Sequence, residues 1–265
     1  VIQLDADTGE VMARWGADIF QSPHGLAIDS EDQIWVTDVM ANKIYKFSHD
    51  GELLRTYGED YPFYMEVGLR IKNVLPRLPI PMSDLLFARP TDIVVSDSGD
   101  FTVSDGYRNK RISKFNADGK QLWEINRNGS DDGEFNLPHG IAQDAEGLIY
   151  VADRNNARIQ VFSPEGQWLV SWSQPEIGRP YGIEIGQDQQ LYIADGGDVL
   201  NGRLDHPQSH IVRMGLDGQV TARWSNWGTE VGQLMIPHDI AVDQKGNVYV
   251  AELNNNRLQK FIPIE

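Results

Sequence analysis

Three histidines stand at the same place in a motif that the chain repeats five times, and they occupy every second copy. The motif reads Ser22-Pro23-His24-Gly25-Leu26-Ala27-Ile28-Asp29, then Leu137-Pro138-His139-Gly140-Ile141-Ala142-Gln143-Asp144, then Ile236-Pro237-His238-Asp239-Ile240-Ala241-Val242-Asp243. Between them lie Arg89-Pro90-Thr91-Asp92-Ile93-Val94-Val95-Ser96 and Arg179-Pro180-Tyr181-Gly182-Ile183-Glu184-Ile185-Gly186. The third position thus runs His, Thr, His, Tyr, His. In a ring of six repeats, alternate repeats stand about 120° apart, and three imidazoles would face one axis from three sides. Three protein nitrogens and an open position are the ligand set of a catalytic zinc. One Pro-His-Gly alone would read as a turn with a satisfied imidazole; the alternation makes it a metal site.

The elements that must hold these histidines follow from patterning. After each motif comes an alternating run rich in β-formers, such as Gln33-Ile34-Trp35-Val36-Thr37-Asp38. A third run, Asn42–Phe47, returns as Lys110–Phe115, Ala157–Phe162 and Asn256–Phe261. Hairpin turns such as Asp50-Gly51 and Asp118-Gly119 lead to a fourth. Period-two patterning with Asp-Gly turns predicts antiparallel strands. Four strands at a period near 40–45 residues predict propeller blades. The repeats run nearly end to end, so residues 1–265 read as one all-β propeller domain. Val1–Leu4 and Glu10–Trp15 look like the outer strands of an incomplete first blade. The expected ring has six blades, because an even ring makes the alternate histidines symmetric. A five-bladed ring closed by pairing Glu10–Trp15 with the last repeat is the alternative.

Bulk composition narrows the function classes. Lys+Arg 23 against Asp+Glu 39 gives a formal net charge of -16, which repels phosphate backbones and disfavours nucleic-acid binding. Cys 0 removes thiolate ligands and disulfides. No apolar run approaches the ~20 residues of a membrane helix, so membrane insertion is not expected. The sequence opens on Val1 rather than Met, as a processed product would, which leans the compartment towards the periplasm or exterior. A monomer is expected.

Antiparallel connection sets which residues share the histidine face. The ends of the second strands lie there, with Tyr107 following Asp105-Gly106 and Arg154 following Asp153. A tyrosine near a divalent cation gives up its proton more readily and can act as a base. An arginine fork suits a substrate carboxylate, although Arg154 could instead pair with a blade aspartate. Thr91 and Tyr181, at the histidine-equivalent positions, read as channel lining beside the substrate. The two long insertions, Glu59–Ala88 and Gly196–Ser209, fall on this face too. The first carries Tyr61, Phe63, Tyr64 and Met65 and could cover the channel mouth. His206 and His210 read as solvated loop residues, and His49 as surface. The Trp residues on outer strands (Trp15, Trp123, Trp172, Trp224) read as packing between blades.

Six stretches resemble the catalytic domain of the peptidyl-α-hydroxyglycine α-amidating lyases (peptidylamidoglycolate lyases), in their bacterial NHL-repeat branch. They are Pro23-His24-Gly25-Leu26, Trp35-Val36-Thr37-Asp38, Pro90-Thr91-Asp92, Val103-Ser104-Asp105-Gly106-Tyr107, Ala152-Asp153-Arg154-Asn155 and Pro237-His238-Asp239-Ile240. The resemblance implies a six-bladed NHL propeller with zinc on His24, His139 and His238. It implies Tyr107 as the catalytic tyrosine and Arg154 as a substrate-binding arginine. It also implies a structural calcium in the channel, on Asp239 and the Leu26 carbonyl. A further arginine of that family's site lies in inner strands upstream of Val1, and no residue here matches it. The implied reaction splits a carbinolamide, R-CO-NH-CH(OH)-COO⁻, into an amide and glyoxylate. The alternatives are a protein-interaction scaffold, or another zinc-dependent propeller enzyme acting on a different hydroxy acid.

Overall fold

The computed structural model describes residues 1–60, 64–65, 67–68, 71, 87–198, 200 and 208–263. The repeats fold as the patterning demands. Blade 1 is β3 (Pro23–Ile28), β4 (Ile34–Asp38), β5 (Lys43–Phe47) and β6 (Leu53–Tyr57). Blade 2 is β7 (Asp92–Val95), β8 (Phe101–Asp105), β9 (Arg111–Phe115) and β10 (Gln121–Ile125). Blade 3 is β11 (Pro138–Gln143), β12 (Ile149–Asp153), β13 (Arg158–Phe162) and β14 (Trp168–Trp172). Blade 4 is β15 (Pro180–Ile185), β16 (Gln190–Asp195), β17 (His210–Gly215) and β18 (Val220–Trp224). Blade 5 has three strands, β19 (Pro237–Val242), β20 (Val248–Glu252) and β21 (Arg257–Phe261). Every pairing is antiparallel between consecutive strands, and the first strands of neighbouring blades pack side by side to wall a channel.

The propeller has five blades, not the expected six. The leading segment forms only a two-stranded sheet, β1 (Ile2–Leu4) with β2 (Val11–Arg14), and among the described residues no inner strands pair with it. The alternative closure is not adopted either, because β2 pairs with β1 and not with the last repeat. The pair stands between blades 5 and 1. On one side Lys260 Nζ donates to the Ala6 carbonyl at 2.8 Å. On the other, Trp15 packs on Phe47 with ring centroids 4.6 Å apart. The even placement of the histidines therefore survives without a complete sixth blade.

Two devices brace the propeller, one between blades and one within each blade. Outer-strand aromatics seat against the turn glycine of the next blade: Trp15 on Gly51, Tyr57 on Gly119, Trp123 on Gly166 and Trp172 on Gly218. At Gly51 the backbone has φ +85° and a Cβ would lie 2.6 Å from the indole, so the turn needs glycine twice over. The second device is a buried carboxylate ending each second strand. Asp153 accepts from the backbone N–H of Asn136 and Leu137 and pairs with Arg158 at 3.0 Å. Asp105 does the same with Ala88 N–H and Arg111, and Glu252 with Met235 N–H and Arg257. Each carboxylate ties the entry of its inner strand to the exit of the second. Breaking one such buried pair costs about 3–5 kcal/mol. Between blades the aromatic core is dry; Trp35, Phe101 and Phe115 are at most 1% exposed.

Candidate active site

The histidines owe their aim to a local irregularity. Each His-bearing inner strand opens with a β-bulge, which inserts one extra residue and re-aims its side chain. In β3 the bulge falls between the pairs Pro23–Asp38 and Leu26–Val36, and in β11 between Pro138–Asp153 and Ile141–Val151. The glycine after His24 admits the next blade: a Cβ there would lie 2.6 Å from the Thr91 carbonyl oxygen. That same carbonyl accepts from His24 Nδ1 at 2.7 Å. The pattern recurs two blades on, where Gly140 faces the Tyr181 carbonyl and His139 Nδ1 donates to it at 3.1 Å. Nδ1–H donation to a carbonyl leaves the Nε2 lone pair free to act as a ligand.

The three rings converge. Their centroids lie 4.8–4.9 Å apart, and one nitrogen from each falls within 4.8 Å of the other two. Atoms no farther apart than that all fit within about 2.8 Å (4.8/√3) of a common point, close to a Zn–N bond of about 2.1 Å. Burial holds all three imidazoles neutral. It pulls His24 down to about 4, with the Arg154 charge adding to the effect and the Thr91 hydrogen bond opposing it. It pulls His238 to about 3, helped by His24 and Arg154, and lowers His139 well below its ordinary value, with the charges of His24, His238 and Arg154 adding to the effect. A neutral imidazole is the form that binds metal.

Tyr107 and Arg154 meet this cluster as the strand argument expected. The Tyr107 hydroxyl lies 3.0 Å from His24 Nε2 and 3.2 Å from His139 Nε2. Burial raises its pKa, and the neighbouring Arg154 guanidinium opposes that rise. The Arg154 guanidinium carbon sits 4.7 Å over the Tyr181 ring and 5.7 Å from that of Tyr107. It does not pair with its blade aspartate, whose partner is Arg158. Its Nε is buried with no hydrogen-bond partner among the described residues. Tyr181 is fully buried and backs His139 and His238 with edge contacts. Thr91 spends its hydroxyl on the Ser104 and Pro138 carbonyls, so its clearest part is to present its own carbonyl to His24.

Below the histidines the channel changes character. A void of about 10 Å³, roughly one ion or water, is lined by the three histidines, Asp92 and Asp239. Beyond it opens a cavity of about 470 Å³ whose wall includes Leu26, Asp92, Glu184 and Asp239. Burial raises all three carboxyls: Asp239 to about 6, Glu184 to about 7 with Asp239 repulsion added, and Asp92 well up for the same two reasons. Among the described residues none of the three forms an ion pair with a lysine or arginine, and like-charge repulsion adds to the rise of Asp92 and Glu184. Three buried carboxyls gathered on one channel wall suit a hard oxygen-liganded ion such as calcium. Asp92 and Glu184 were missed from sequence, although the signal was there. Asp92 takes the repeat position that Asp239 shares and glycine holds elsewhere, and Glu184 stands where the other repeats have Ala or Val.

One other reading changes. His210 is not a solvated loop residue: it starts β17, with Nδ1 3.3 Å from Asp195 and 2.8 Å from Arg223. There it takes the place of Arg111, Arg158 and Arg257 in blades 2, 3 and 5, and of Lys43 in blade 1. His49 is exposed as expected. Tyr61, Phe63 and His206 lie outside the described residues, as does most of the Glu59–Ala88 insertion.

The NHL repeat family model matches residues 20–45, 87–115, 135–162 and 234–261. Among curated proteins, peptidyl-alpha-hydroxyglycine alpha-amidating lyase 1 of Drosophila melanogaster is 32% identical over 99% of this chain and 48% of its own length. NHL repeat-containing protein 3 of Homo sapiens is 28% identical, over 99% of this chain and 73% of its own. Peptidyl-glycine alpha-amidating monooxygenase B of Xenopus laevis is 31% identical, over 99% of this chain but 29% of its own. The chain thus spans about half of the Drosophila lyase 1 and less than a third of the Xenopus monooxygenase. Among solved structures, virginiamycin B lyase from Staphylococcus aureus superposes with a TM-score of 0.58 at 17% identity, over 91% of this chain and 70% of that one. A protein of unknown function from Bacteroides caccae reaches 0.63 at 15% identity, over 95% and 78%. These two share the propeller fold. The chain thus carries NHL repeats and is 28–32% identical to peptidyl-α-hydroxyglycine α-amidating lyases and NHL repeat-containing proteins.

Proposed function

We propose that this propeller is a zinc-dependent carbon–nitrogen lyase that splits a peptidyl-α-hydroxyglycine-like carbinolamide into an amide and glyoxylate. The observation that carries the reading is the Tyr107 hydroxyl, set between the Nε2 atoms of His24 and His139 beside a half-buried arginine whose own Nε is buried and unused among the described residues. His24, His139 and His238 would hold the zinc. When bound, zinc supplies Lewis acidity that lowers the pKa of a nearby hydroxyl.

The chain's own groups account for the rest. Arg154 receives the substrate carboxylate, giving its orphaned Nε–H a charged acceptor in a site screened from water. That contact orients the carbinol carbon towards Tyr107. Tyr107 as phenolate removes the carbinol O–H proton. The O–H electrons form the C=O of glyoxylate, the C–N bond breaks, and its electron pair stays on nitrogen. Tyr107 returns the proton to that nitrogen, which closes the balance without water or a redox partner. Arg154 also opposes the burial that raises the Tyr107 pKa, and so favours the phenolate. Asp239 and the Leu26 carbonyl, with Asp92 and Glu184 beside them, would hold a structural calcium below the reacting centre.

The test is glyoxylate release from α-hydroxyhippurate, with metal-reconstituted protein and its chelated control. Metal-dependent release is expected. Zinc binding without release from this substrate or from a peptidyl-α-hydroxyglycine would assign the site to other chemistry. The alternative reading is a non-catalytic protein-interaction scaffold, and the same assay separates the two.

A further inference from the structure

Arg154 acts from a short element that needs outside support. It opens a single 3₁₀ turn, Arg154–Asn156, which ends at Ala157 in a left-handed conformation with φ 52°. Its backbone N–H is held inside its own blade by the Leu137 carbonyl at 2.9 Å. Its carbonyl is held from the next blade, where Arg179 Nη1 donates to it at 2.6 Å. Arg179 is itself fastened at both ends. Its backbone N–H donates to Asp195 Oδ1 at 2.9 Å, and its Nε pairs with Asp198. The Arg179 side chain is only 14% exposed. Asp198 belongs to the Gly196–Ser209 insertion, whose start is tied down where Gly197 N–H meets Asp195 at 3.1 Å. A continuous polar chain therefore runs from the insertion through Arg179 to the backbone of Arg154, whose guanidinium stacks on Tyr181 and Tyr107.

We propose that Arg179 is a positioning residue that acts through Arg154, so that Arg179 and its partner Asp198 set the affinity for the substrate's carboxylate. This rests on the role given to Arg154 above. A guanidinium suits the task because its fork serves two acceptors at once in fixed geometry. A lysine has one nitrogen for both. Displacing the Arg154 backbone by a fraction of an ångström moves its guanidinium off the tyrosine faces and weakens carboxylate binding, while the three histidines and Tyr107 keep their places on other strands.

The experiment measures kcat and KM with α-hydroxyhippurate, and the affinity for hippurate, an analogue that keeps the carboxylate but has no carbinol hydroxyl, by calorimetry. For Arg179→Ala, KM and the hippurate Kd should rise about tenfold, kcat should stay within about threefold, and zinc content should be unchanged. Arg179→Lys should recover part of the loss, and Asp198→Asn should weaken hippurate by a few-fold. In an Arg154→Ala background, Arg179→Ala should add less than a twofold change, since its effect passes through Arg154. An unchanged hippurate Kd in Arg179→Ala overturns the proposal. So does a full further loss on top of Arg154→Ala, which marks general destabilisation. Should Arg179→Ala fail to fold, Arg179→Lys and Asp198→Asn carry the same comparison. Hippurate binding that depends on Arg179, in a protein that releases no glyoxylate, would sink the lyase reading and leave this inference standing.

Discussion

The two ends of one channel present opposite chemistry, a single residue apart in the chain. His238 turns up to the imidazole cluster, and Asp239 turns down to the carboxylates. Burial acts on both and moves them in opposite directions, because it penalises whichever form is charged. The imidazoles become neutral donors, ready for a zinc-like ion. The carboxyls are left wanting a proton or a hard cation. The upper end has fixed aim, since carbonyls of neighbouring blades pin His24 and His139. At the lower end Asp92 accepts from Ile93 and Ile141 N–H, while Asp239 accepts only from Ile240 N–H in the hydrogen-bond pattern seen here. The upper end is therefore built for chemistry at one point, and the lower for an ion that tolerates loose oxygen coordination.

Tyr107→Phe should break the upper end most severely. It keeps the ring and removes the ionisable hydroxyl, so kcat should fall by roughly 10²–10⁴-fold with zinc content unchanged. A loss below about threefold in a glyoxylate assay would remove Tyr107 from the chemistry. Next in size is Asp239→Ala. Calcium at about 100 times its Kd should stabilise the unmodified protein by about 2.7 kcal/mol over the chelated form. The variant should show the same Tm with calcium and with chelator, and a persisting calcium-dependent rise would place the ion elsewhere.

Smaller, and specific to the lower end, is Glu184→Gln in metal-free protein. Glu184 is raised from 4.5 to about 7 in the folded state. The fold therefore binds this proton more tightly than the unfolded chain, and the resulting stability is full below 4.5 and lost as pH rises through 7. The variant should gain on the order of 2 kcal/mol over the unmodified protein at pH 8, relative to pH 4, by denaturant titration. The imidazoles predict the opposite trend on the acid side. His24 is lowered from 6.5 to about 4, so its contribution is present above 6.5 and lost as pH falls towards 4. A pH-independent difference between Glu184→Gln and the unmodified protein would show that the carboxyl is not buried as described.

Much of this was legible in residues. The alternation His, Thr, His, Tyr, His gave the convergence of the rings, because repeat position maps directly onto place around an axis. Tyr107 and Arg154 were found by following strand direction alone. The blade count was not legible: Val1–Leu4 and Glu10–Trp15 carry outer-strand patterning, and whether such a pair counts as a blade depends on partners elsewhere. Asp92 and Glu184 were hidden because a carboxylate in a turn-like motif normally reads as a cap, and only the ring places the three side by side. His210 was misjudged for a related reason. Its partner Arg223 comes from the outermost strand of the same blade, a contact that period-two patterning cannot reveal.

The most direct test of the upper cluster is elemental analysis of protein purified without added metal, alongside His139→Ala. His139 is 2% exposed and faces both other histidines. One equivalent of zinc per chain is expected in the unmodified protein, and its loss in His139→Ala with calcium retained. Absence of zinc from the first, or zinc undiminished in the second, would contradict a three-histidine metal centre.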